Sequence, residues 1–373
     1  MKRLLEREAT GALLTDTQVT RPTHEGGRAT LTAAGCHIYA GGHTVGVKQA
    51  GFDVRLHLEE GSFGAETARR NLGVEVRLNA SAEAGDFDLV EWWPRDVGQV
   101  DWLFGNPPCA AWSTMSAGTT KVRGEKSDYV GCTERLFALA TAARPTVFSW
   151  ECVTQVLKAG RSYVDRKAAA MRDLGYEVHE VVFDAADCGL PSRRKRFFFV
   201  ASKVRLEFER PAEPHVTPRE AWARTAAAGF DPGPGCIGGE EVKLLKTMPK
   251  GRGRVRDYAI SVGSSLRPFA SNMRLGFDEL APTIAGGAHY YHPEEPRYLT
   301  VREQQVLAGY PPDYEFVCSL SQRYLQIGRG VSPPAARWLG RHVAAGLRAG
   351  RRARRGEVFR WDFLRKEGGR GAT

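Results

Sequence analysis

The chain has 373 residues, of which 42% are hydrophobic, and a formal net charge of +10 at pH 7. No run of about 18 apolar residues occurs, and the first residues lack the apolar stretch of a signal peptide, so neither a membrane span nor a secretory leader is expected. The seven cysteines include no Cys-x-x-Cys pair, which argues against a disulfide framework or a metal site. Free cysteines are typical of a protein in the reducing cytoplasm, which is the location we expect. The positive charge favours a polyanionic partner.

Residues 1–34 are polar with little periodicity, and we interpret them as an N-terminal extension. From residue 35 to 202, apolar segments alternate with helical patterns. Strands are predicted at residues 54–58, 100–104, 146–150, 177–183 and 197–201, and helical segments at 137–143 and 168–174. Strands that alternate with helices indicate an α/β fold with a largely parallel sheet covered on both faces.

The sequence changes character between residues 203 and 275, where prolines and glycines interrupt any long element and lysines and arginines accumulate. Residues 276–347 are predicted to return to the first domain through helices at 299–307 and 335–347. A basic C-terminal tail, 348–373, would follow. A basic cluster at its start consists of Arg348, Arg351, Arg352, Arg354 and Arg355. They fit a phosphate-contacting extension and a frayed tail equally well.

Residues 105–113 are Gly-Asn-Pro-Pro-Cys-Ala-Ala-Trp-Ser. Cys109 therefore follows the predicted strand 100–104 and two prolines, which restrict the backbone as it leaves the sheet. Open α/β sheets carry their chemistry at the carboxyl ends of the strands, so the pattern predicts a reactive thiol on a stiff loop. A lone cysteine is also a common buried apolar residue, and this motif alone leaves both interpretations open.

Four further motifs follow in order. They are Phe-Ser-Trp-Glu-Cys-Val at 148–153, Cys-Gly-Leu-Pro-Ser-Arg-Arg-Lys-Arg at 188–196, Leu-Thr-Val-Arg-Glu at 299–303 and Gln-Ile-Gly-Arg-Gly-Val at 326–331. With the Pro-Cys loop, these motifs resemble those of the DNA (cytosine-5)-methyltransferase family across residues 36–345. The resemblance implies a Rossmann-like S-adenosylmethionine-dependent methyltransferase fold with a small, loop-rich target-recognition domain. It also implies a transferase that modifies carbon 5 of cytosine in double-stranded DNA.

The resemblance assigns catalytic roles to four residues. Carbon 5 of cytosine is a poor nucleophile until a thiolate adds to carbon 6, and Cys109 would supply that thiolate. The step needs a thiol with a lowered pKa or a base nearby. Glu151 would hydrogen-bond ring nitrogen 3 and the amino group as a proton donor, Arg194 would bind the ring oxygen O2, and Arg196 a neighbouring phosphate or loop. The base must first be flipped out of the duplex.

The donor site would be formed by the glycine-rich turn at 38–46, by the ends of two strands and by the late Gly-x-x-Val loop. Glycines let the backbone approach a ligand closely, and Glu59 would accept hydrogen bonds from ribose hydroxyls. Where the family has Asp, this chain has His37, and its glycine loop is shorter. The predicted donor-binding residues are Tyr39, Ala40, Gly41, Gly42, Gly46, Glu59, Asp101, Asn106, Pro107, Arg329, Gly330 and Val331.

Two basic segments are predicted to contact DNA. The segment 113–129 would close over the flipped base, and the segment 203–275 would recognise the target, although a loop-rich insert with a solvated basic face stays an alternative. The predicted DNA-binding residues are Ser113, Lys121, Arg123, Lys126, Lys246, Lys250, Arg252 and Arg254.

Several supporting residues of the family are replaced. Its Gln after Pro-Cys is Ala110, its Asn after the catalytic Glu is Cys152, its Gln before Arg194 is Ser192, and the Asn of the late loop is Arg329. A guanidinium about 4 Å from a sulfonium, at an effective dielectric near 20, would be repelled by roughly 4 kcal/mol. A carboxylate on the transferred carbon would reverse that sign, because arginine binds carboxylates bidentately.

The donor predicted from Arg329 is carboxy-S-adenosylmethionine, and the product would be 5-carboxymethylcytosine. Ordinary S-adenosylmethionine remains the alternative, with Arg329 facing solvent, a DNA phosphate or the donor's own α-carboxylate. An RNA cytosine-5 methyltransferase and a catalytically silent DNA-binding homologue are further alternatives, and the intact Cys109, Glu151 and Arg194 count against the silent one. We expect a monomer without metal, in the cytoplasm of a bacterium or a phage-infected cell, as in restriction-modification.

Overall fold

The structure is a computed structural model of the chain, and it describes residues 30–59, 61–78, 99–113, 122–224, 237–269, 271–286 and 290–354. A seven-stranded sheet has the order β3-β2-β1-β4-β5-β7-β6. Its strands are β1 (Leu31–Cys36), β2 (Phe52–Glu59), β3 (Glu75–Leu78), β4 (Trp102–Gly105), β5 (Val147–Val153), β6 (Glu177–Asp184) and β7 (Lys195–Ser202). Strands β1 to β5 pair in parallel, and β7 runs antiparallel to both β5 and β6.

The burial of the strands follows their place in the sheet. The central strands β1 and β4 are buried at every position, as apolar runs of a parallel sheet covered on both faces should be. The edge strand β6 instead exposes Glu177 and Glu180, and charges of this kind discourage pairing with another chain. Strand β1 begins at Leu31, so the predicted extension, 1–34, overlaps the first strand by the apolar run Leu-Thr-Ala-Ala.

Helices cover both faces of the sheet. They are α1 (Gly42–Gln49), α2 (Ser62–Leu72), α3 (Val130–Ala143), α4 (Val156–Ala159), α5 (Arg161–Asp173), α6 (Pro218–Ala223), α7 (Gly239–Thr247), α8 (Val255–Ser261), α9 (Val301–Leu307), α10 (Leu320–Arg329) and α11 (Pro333–Arg354). Residues of α3 and α5 pack on one face of the sheet, and residues of α1 and α11 pack on the other. The predicted α/β fold is confirmed.

A second, smaller sheet lies mainly in the segment predicted for target recognition, 203–275, but its third strand belongs to the segment predicted to return to the first domain, 276–347. Its strands β8 (Gly253–Arg254), β9 (Met273–Arg274) and β10 (Tyr290–Tyr291) have the order β10-β9-β8. Apolar residues of α7 and α8 form a small core with Tyr291. The buried Arg274 donates hydrogen bonds to the carbonyls of Leu245 and Met248, which close the end of α7. This segment therefore has a core of its own, while the domain boundaries stay predictions.

The C-terminal arginines lie partly on a helix. The helix predicted at 335–347 runs from Pro333 to Arg354, so Arg348, Arg351 and Arg352 continue α11. Arg351 Nη2 donates to both carboxylate oxygens of Asp101, at 2.7 and 2.8 Å. At least this arginine thus stabilises the fold, in contrast to both interpretations of the segment as a tail.

The Leu-Thr-Val-Arg-Glu motif at 299–303 forms the start of a helix. The Thr300 hydroxyl accepts a hydrogen bond from the Glu303 N–H, and the Glu303 carboxylate accepts one from the Thr300 N–H, which is the reciprocal capping box. Arg297 Nη1 also donates to Glu303, at 2.8 Å. This motif, one of those that resemble the family, therefore has a structural role: it caps the start of α9.

The described residues contain neither a membrane-spanning helix nor a metal cluster. Helix α11 is long, with 22 residues, but arginines recur along it. No helix in the described ranges is both long and apolar enough to cross a membrane. In the same ranges, no group of three or more His, Cys, Asp and Glu side chains is placed to hold a metal ion.

Candidate active site

One edge of the large sheet brings the predicted catalytic residues together. Strands β4 and β5 are parallel, so their carboxyl ends lie at the same edge. Strand β7 is antiparallel, and its register pairs Arg196 with Val153, the last residue of β5. The Cys109 loop after β4, Glu151 on β5 and Arg196 on β7 therefore meet where open α/β sheets carry their chemistry.

The Cys109 loop is held by its own backbone and by a buried aromatic side chain. The Cys109 carbonyl accepts hydrogen bonds from the N–H groups of Trp112 and Ser113, both at 3.0 Å. Trp112 is buried and its ring centroid lies 5.6 Å from that of Tyr163. Cys109 is partly buried, whereas Cys152, the next cysteine on β5, is fully buried. The loop thus presents one partly accessible thiol.

The electrostatics of the site act on the Cys109 thiol in both directions. Burial raises its pKa, and the nearby Glu151 carboxylate raises it further, while Arg196 and Arg194 lower it. Without DNA, the net effect is a raised pKa, so the thiol is protonated at neutral pH. The lowered pKa that would favour catalysis is therefore absent from the DNA-free chain, and a base is needed.

Glu151 and Arg196 form an incompletely satisfied ion pair. The Glu151 Oε1 atom lies 2.9 Å from Arg196 Nε, and both side chains are largely buried. Yet Oε1 receives no hydrogen bond of acceptable geometry from the described residues. A buried oxygen left in this state can accept or share a proton with a group that enters from outside.

Arg194 joins the sheet to the late loop. Its Nη1 donates to the Ile284 carbonyl at 3.0 Å, and its Nη2 donates to the carbonyls of Gly330 at 2.7 Å and Gly328 at 3.3 Å. Burial lowers its pKa to about 10, so it stays cationic at neutral pH. Both terminal nitrogens have partners, whereas the buried Nε has none among the described residues, and the contact with a pyrimidine oxygen stays a prediction.

Asp184 is a supporting residue that the sequence analysis missed. This last residue of β6 accepts a hydrogen bond from the Arg194 backbone N–H at 2.7 Å. It thereby fixes the start of the segment that carries both arginines. A carboxylate at the end of a predicted strand was the available signal.

The donor turn places a carboxylate where an adenosyl group needs one. The Glu59 Oε2 atom accepts a hydrogen bond from the Tyr39 N–H, and its Oε1 accepts one from Gly61 at 3.0 Å. A carboxylate has about four acceptor directions, so it can accept ribose hydroxyls in addition. The buried Asn106 Oδ1 has no hydrogen-bond partner among the described residues, and it lies beside the buried Pro107. These groups fit an adenosyl donor.

The glycines of the donor turn serve packing within the protein. A Cβ on Gly42 would lie 2.3 Å from the Val331 carbonyl oxygen, and one on Gly46 would lie 2.4 Å from the Pro333 oxygen. These glycines let α1 approach the late loop and α11, and the expected close approach to a ligand stays a prediction. The same packing role falls to Ala40, Gly41 and Gly330, which lie against Tyr314, Leu72 and Tyr310 respectively.

Asp101 lies outside the donor site. It precedes β4 and stands opposite Thr32 near the beginning of β1, at the amino edge of the sheet. Its carboxylate accepts hydrogen bonds from the Thr32 N–H at 2.7 Å and from Arg351. The predicted donor contact is wrong, because the strand begins later than the sequence indicated and the residue lies at its far end.

Arg329 lies next to the donor turn. It is the last residue of α10 and is exposed, and its guanidinium carbon lies 5.9 Å from the centroid of the Tyr39 ring. Burial raises the pKa of Tyr39, and the charge and hydrogen bond of Arg329 oppose that rise. The backbone of Tyr39 is in turn held by Glu59. The cation predicted for the donor site thus lies at the donor turn, while its contact with the Tyr39 ring was not predicted from the sequence.

The comparison with known families settles what kind of protein this is. Residues 37–228 and 240–345 match the family model described as C-5 cytosine-specific DNA methylase. The chain belongs to this family. Family membership makes it a transferase and implies S-adenosylmethionine as the cofactor and DNA as the substrate.

Individual relatives support this C-5 cytosine methylase assignment. The chain is 26% identical over 344 residues to the type II methyltransferase M.MthTI of Methanothermobacter thermautotrophicus, covering 83% of this chain and 95% of that protein. It is 25% identical over 315 residues to M.NgoFVII of Neisseria gonorrhoeae, covering 79% and 81%.

Among solved structures, a prophage-encoded DNA modification methyltransferase of E. coli has the same fold, with a TM-score of 0.68 at 18% identity over 86% of this chain and 100% of that one. The Spodoptera frugiperda DNMT2 structure has a TM-score of 0.56 at 11% identity, covering 84% and 100%. Both likenesses concern the fold alone.

The predicted DNA-binding residues of this methylase fall into two segments. Arg123 and Lys126 are exposed beside a short 3-10 helix, and the Ser113 carbonyl accepts a hydrogen bond from Arg123 Nη2 at 2.7 Å. Lys121 lies outside the described residues. The others, all exposed, are Lys246, Lys250, Arg252 and Arg254. Their contact with DNA stays a prediction.

Proposed function

We propose that this C-5 cytosine methylase transfers a one-carbon-derived group to a cytosine flipped out of duplex DNA, through a covalent adduct between Cys109 and carbon 6. The supporting observation is that Cys109, the Glu151–Arg196 pair and the donor turn share one edge of the sheet. A lone cysteine would carry little weight. A partly accessible thiol beside an unsatisfied buried carboxylate is the arrangement that addition to a pyrimidine requires.

Glu151 would act as the acid. Its Oε1 can hydrogen-bond ring nitrogen 3 and deliver a proton there as the thiolate adds to carbon 6, which offsets the negative charge on the ring. The proton that the ring gains from Glu151 then balances the proton that the Cys109 thiol loses.

Arg196, in place of Arg194, would bind the ring oxygen O2. Its guanidinium contacts Glu151 and lowers the pKa of Cys109, so it lies where the base must sit. Arg194 becomes a positioning residue, because its Nη2 holds the carbonyls of Gly328 and Gly330 at the end of α10 and its Nη1 holds that of Ile284. This division of roles replaces the one predicted from the sequence.

The bonds balance without an oxidant. The Cys109 thiolate adds to carbon 6, and the electron pair displaced from the ring double bond makes carbon 5 nucleophilic. The donor supplies an electrophilic carbon on a sulfonium, whose sulfur keeps the bonding pair. Carbon 5 forms the new bond and nitrogen 3 gives its proton back to Glu151. A base then removes the carbon-5 proton, and the Cys109–carbon 6 bond breaks to return the thiolate.

We further propose carboxy-S-adenosylmethionine as the donor and 5-carboxymethylcytosine as the product. The support is the position of Arg329 over Tyr39, whose backbone N–H is held by Glu59. A guanidinium about 4 Å from a sulfonium would be repelled by roughly 4 kcal/mol at an effective dielectric near 20, unless an anion intervenes. A carboxylate on the transferred carbon provides that anion.

Competition between the two donors on one DNA duplex tests this proposal. Wild type should give mainly 5-carboxymethylcytosine by nucleoside mass, and Arg329→Asn should give mainly 5-methylcytosine, because it removes attraction and repulsion together. Arg329→Lys should keep part of the preference without bidentate geometry. Predominant 5-methylcytosine from wild type at equal donor concentrations would reject the carboxylated donor and leave the ordinary one.

Adduct formation tests the core of the proposal separately. Wild type should form a covalent complex with duplex DNA that carries 5-fluorocytosine, Cys109→Ser should form none, and the matched Cys152→Ala should form it normally. No wild-type adduct would indicate a silent homologue. An adduct with transfer RNA but not with duplex DNA would indicate an RNA methyltransferase.

A further inference from the structure

Three large apolar side chains between residues 260 and 269, in the small-sheet region, are exposed. Phe269 is 73% exposed, the highest value for a large hydrophobic side chain in the described residues. Ile260 at 60% and Val262 at 51% lie just before it in the chain. Soluble proteins rarely concentrate such side chains at the surface unless the surface binds something.

The exposed ring of Phe269 stands on an anchored turn. Its carbonyl accepts a hydrogen bond from the Asn272 N–H at 2.9 Å, and Asn272 is itself buried. The Asn272 carbonyl accepts from Val255 at 3.2 Å, and its side chain donates to the Tyr291 hydroxyl at 3.2 Å. Pro268 restricts the backbone directly before the ring. The backbone is therefore tied to the small sheet while the ring points outward.

The surroundings of this turn are cationic. Arg267 is exposed, and its Nη1 donates to the carbonyls of Ser264 and Leu266 at 2.8 and 2.9 Å, which keeps its charge on the same loop. Leu266 packs on the small core beneath. Arg254 and Arg256 are exposed and flank Val255, whose N–H bonds to Asn272, whereas the exposed Arg252 lies 3.7 Å from Glu279. An exposed apolar ring near arginines is complementary to duplex DNA, because the duplex has charged phosphates outside and stacked apolar base faces inside.

We propose that Phe269 is a wedge that inserts between neighbouring base pairs of the substrate duplex while the surrounding arginines contact phosphates. Apolar side chains used in this way unstack a base step and bend the duplex. The inserted ring would also occupy stacking space in a duplex from which a base is being flipped. This inference rests on the proposed action on duplex DNA. It adds Phe269, an uncharged side chain that cannot bind phosphate, to the residues that would contact the duplex.

Affinity measured as a function of salt separates a wedge from a phosphate contact. Phe269→Ala should bind duplex DNA about ten-fold more weakly, with an unchanged slope of log affinity against log salt, because only stacking is lost. Arg267→Gln should instead reduce that slope by about one. Phe269→Trp should restore the affinity, and the matched control is Phe63→Ala, which truncates a 46% exposed ring on α2.

Unchanged affinity of Phe269→Ala would overturn the wedge, as would an equal loss in Phe63→Ala or a reduced salt slope in Phe269→Ala. A folded Phe269→Ala, checked by its melting temperature, excludes loss through unfolding. The 5-fluorocytosine adduct distinguishes the two proposals. If wild type forms the adduct and Phe269→Ala binds normally, only the wedge fails, whereas a wild type without adduct removes the proposed function itself.

Discussion

Two pairs of carboxylate and guanidinium lie at opposite edges of the same sheet. At the amino edge, Asp101 accepts two hydrogen bonds from Arg351 and one from the Thr32 backbone. At the carboxyl edge, Glu151 Oε1 lies 2.9 Å from Arg196 but accepts no hydrogen bond from the described residues. Two chemically similar pairs thus differ. The Asp101 carboxylate accepts hydrogen bonds from its partners (the saturated pair), whereas Glu151 Oε1 accepts none from the described residues (the unfinished pair).

This difference separates stability from function. Buried polar groups in proteins are normally satisfied, so a saturated pair contributes to folding, whereas an unsatisfied one marks a place that a substrate completes. The pair beside Cys109 should therefore matter for turnover, and the pair beside Thr32 for the free energy of unfolding.

The largest effect is expected at the unfinished pair. Glu151→Gln should lower the single-turnover rate about 10²–10⁴-fold, because the amide cannot deliver a proton to the ring. Its melting temperature should fall, because the isosteric change keeps the packing but removes the charge of the buried Glu151–Arg196 ion pair, and activity is therefore compared per folded molecule. Quenched-flow assays and calorimetry measure the two quantities. A variant with wild-type turnover would remove Glu151 from the mechanism.

The saturated pair should show the opposite result. Asp101→Asn should lower the free energy of unfolding by about 1–3 kcal/mol, because charge-assisted hydrogen bonds to Arg351 are weakened. Turnover per folded molecule should not change. Urea titration gives the first quantity, and Arg351→Gln combined with Asp101→Asn should be less than additive. A loss of donor affinity in folded Asp101→Asn would instead return this residue to the donor site.

The smallest effect is a shift in the reactivity of Cys109. Its pKa is raised, so the thiolate is scarce at pH 7, and alkylation by iodoacetamide should accelerate about ten-fold per pH unit until the pKa is reached. Glu151→Gln should speed alkylation a few-fold, and Arg196→Gln should slow it, because these charges act in opposite directions. Mass spectrometry of the Cys109 peptide provides the rates. Equal rates in all three proteins would contradict this electrostatic picture.

The Glu151→Gln variant gives the most decisive test of the difference between the two pairs, because two of its rates should change in opposite directions. The same substitution should make the thiol easier to alkylate and the enzyme slower in group transfer. A purely structural role for Glu151 would change both rates in the same direction.

Local patterns were sufficient for the fold and the family. The apolar run predicted at 146–150 overlaps β5 from Val147, and the run at 197–201 lies within β7, because strands covered on both faces have few polar positions. Five motifs in order indicated a cytosine-5 methylase, and the family match confirmed it. Strand β3 was not predicted, since its alternating charged residues resemble a surface segment.

Roles that depend on distant contacts could not be predicted. Spacing along the chain does not show that Gly46 faces Pro333, that Asp101 lies at the amino edge, or that Arg194 is engaged by the late loop. Each depends on an element far away in sequence, which is why the donor contact predicted for Asp101 was wrong and the partners of Gly46 and Arg194 were not foreseen.

The sequence by itself determined the α/β architecture and the chemical set of thiol, carboxylate and guanidinium, because burial patterns and short motifs are local properties. Only the tertiary structure decided which arginine stands beside Glu151, which glycines fill packing space and which carboxylate is saturated. Strand register places Arg196 opposite Val153, at the edge where the Cys109 loop leaves β4. Such proximity follows from how strands pair, which no single segment of the chain encodes.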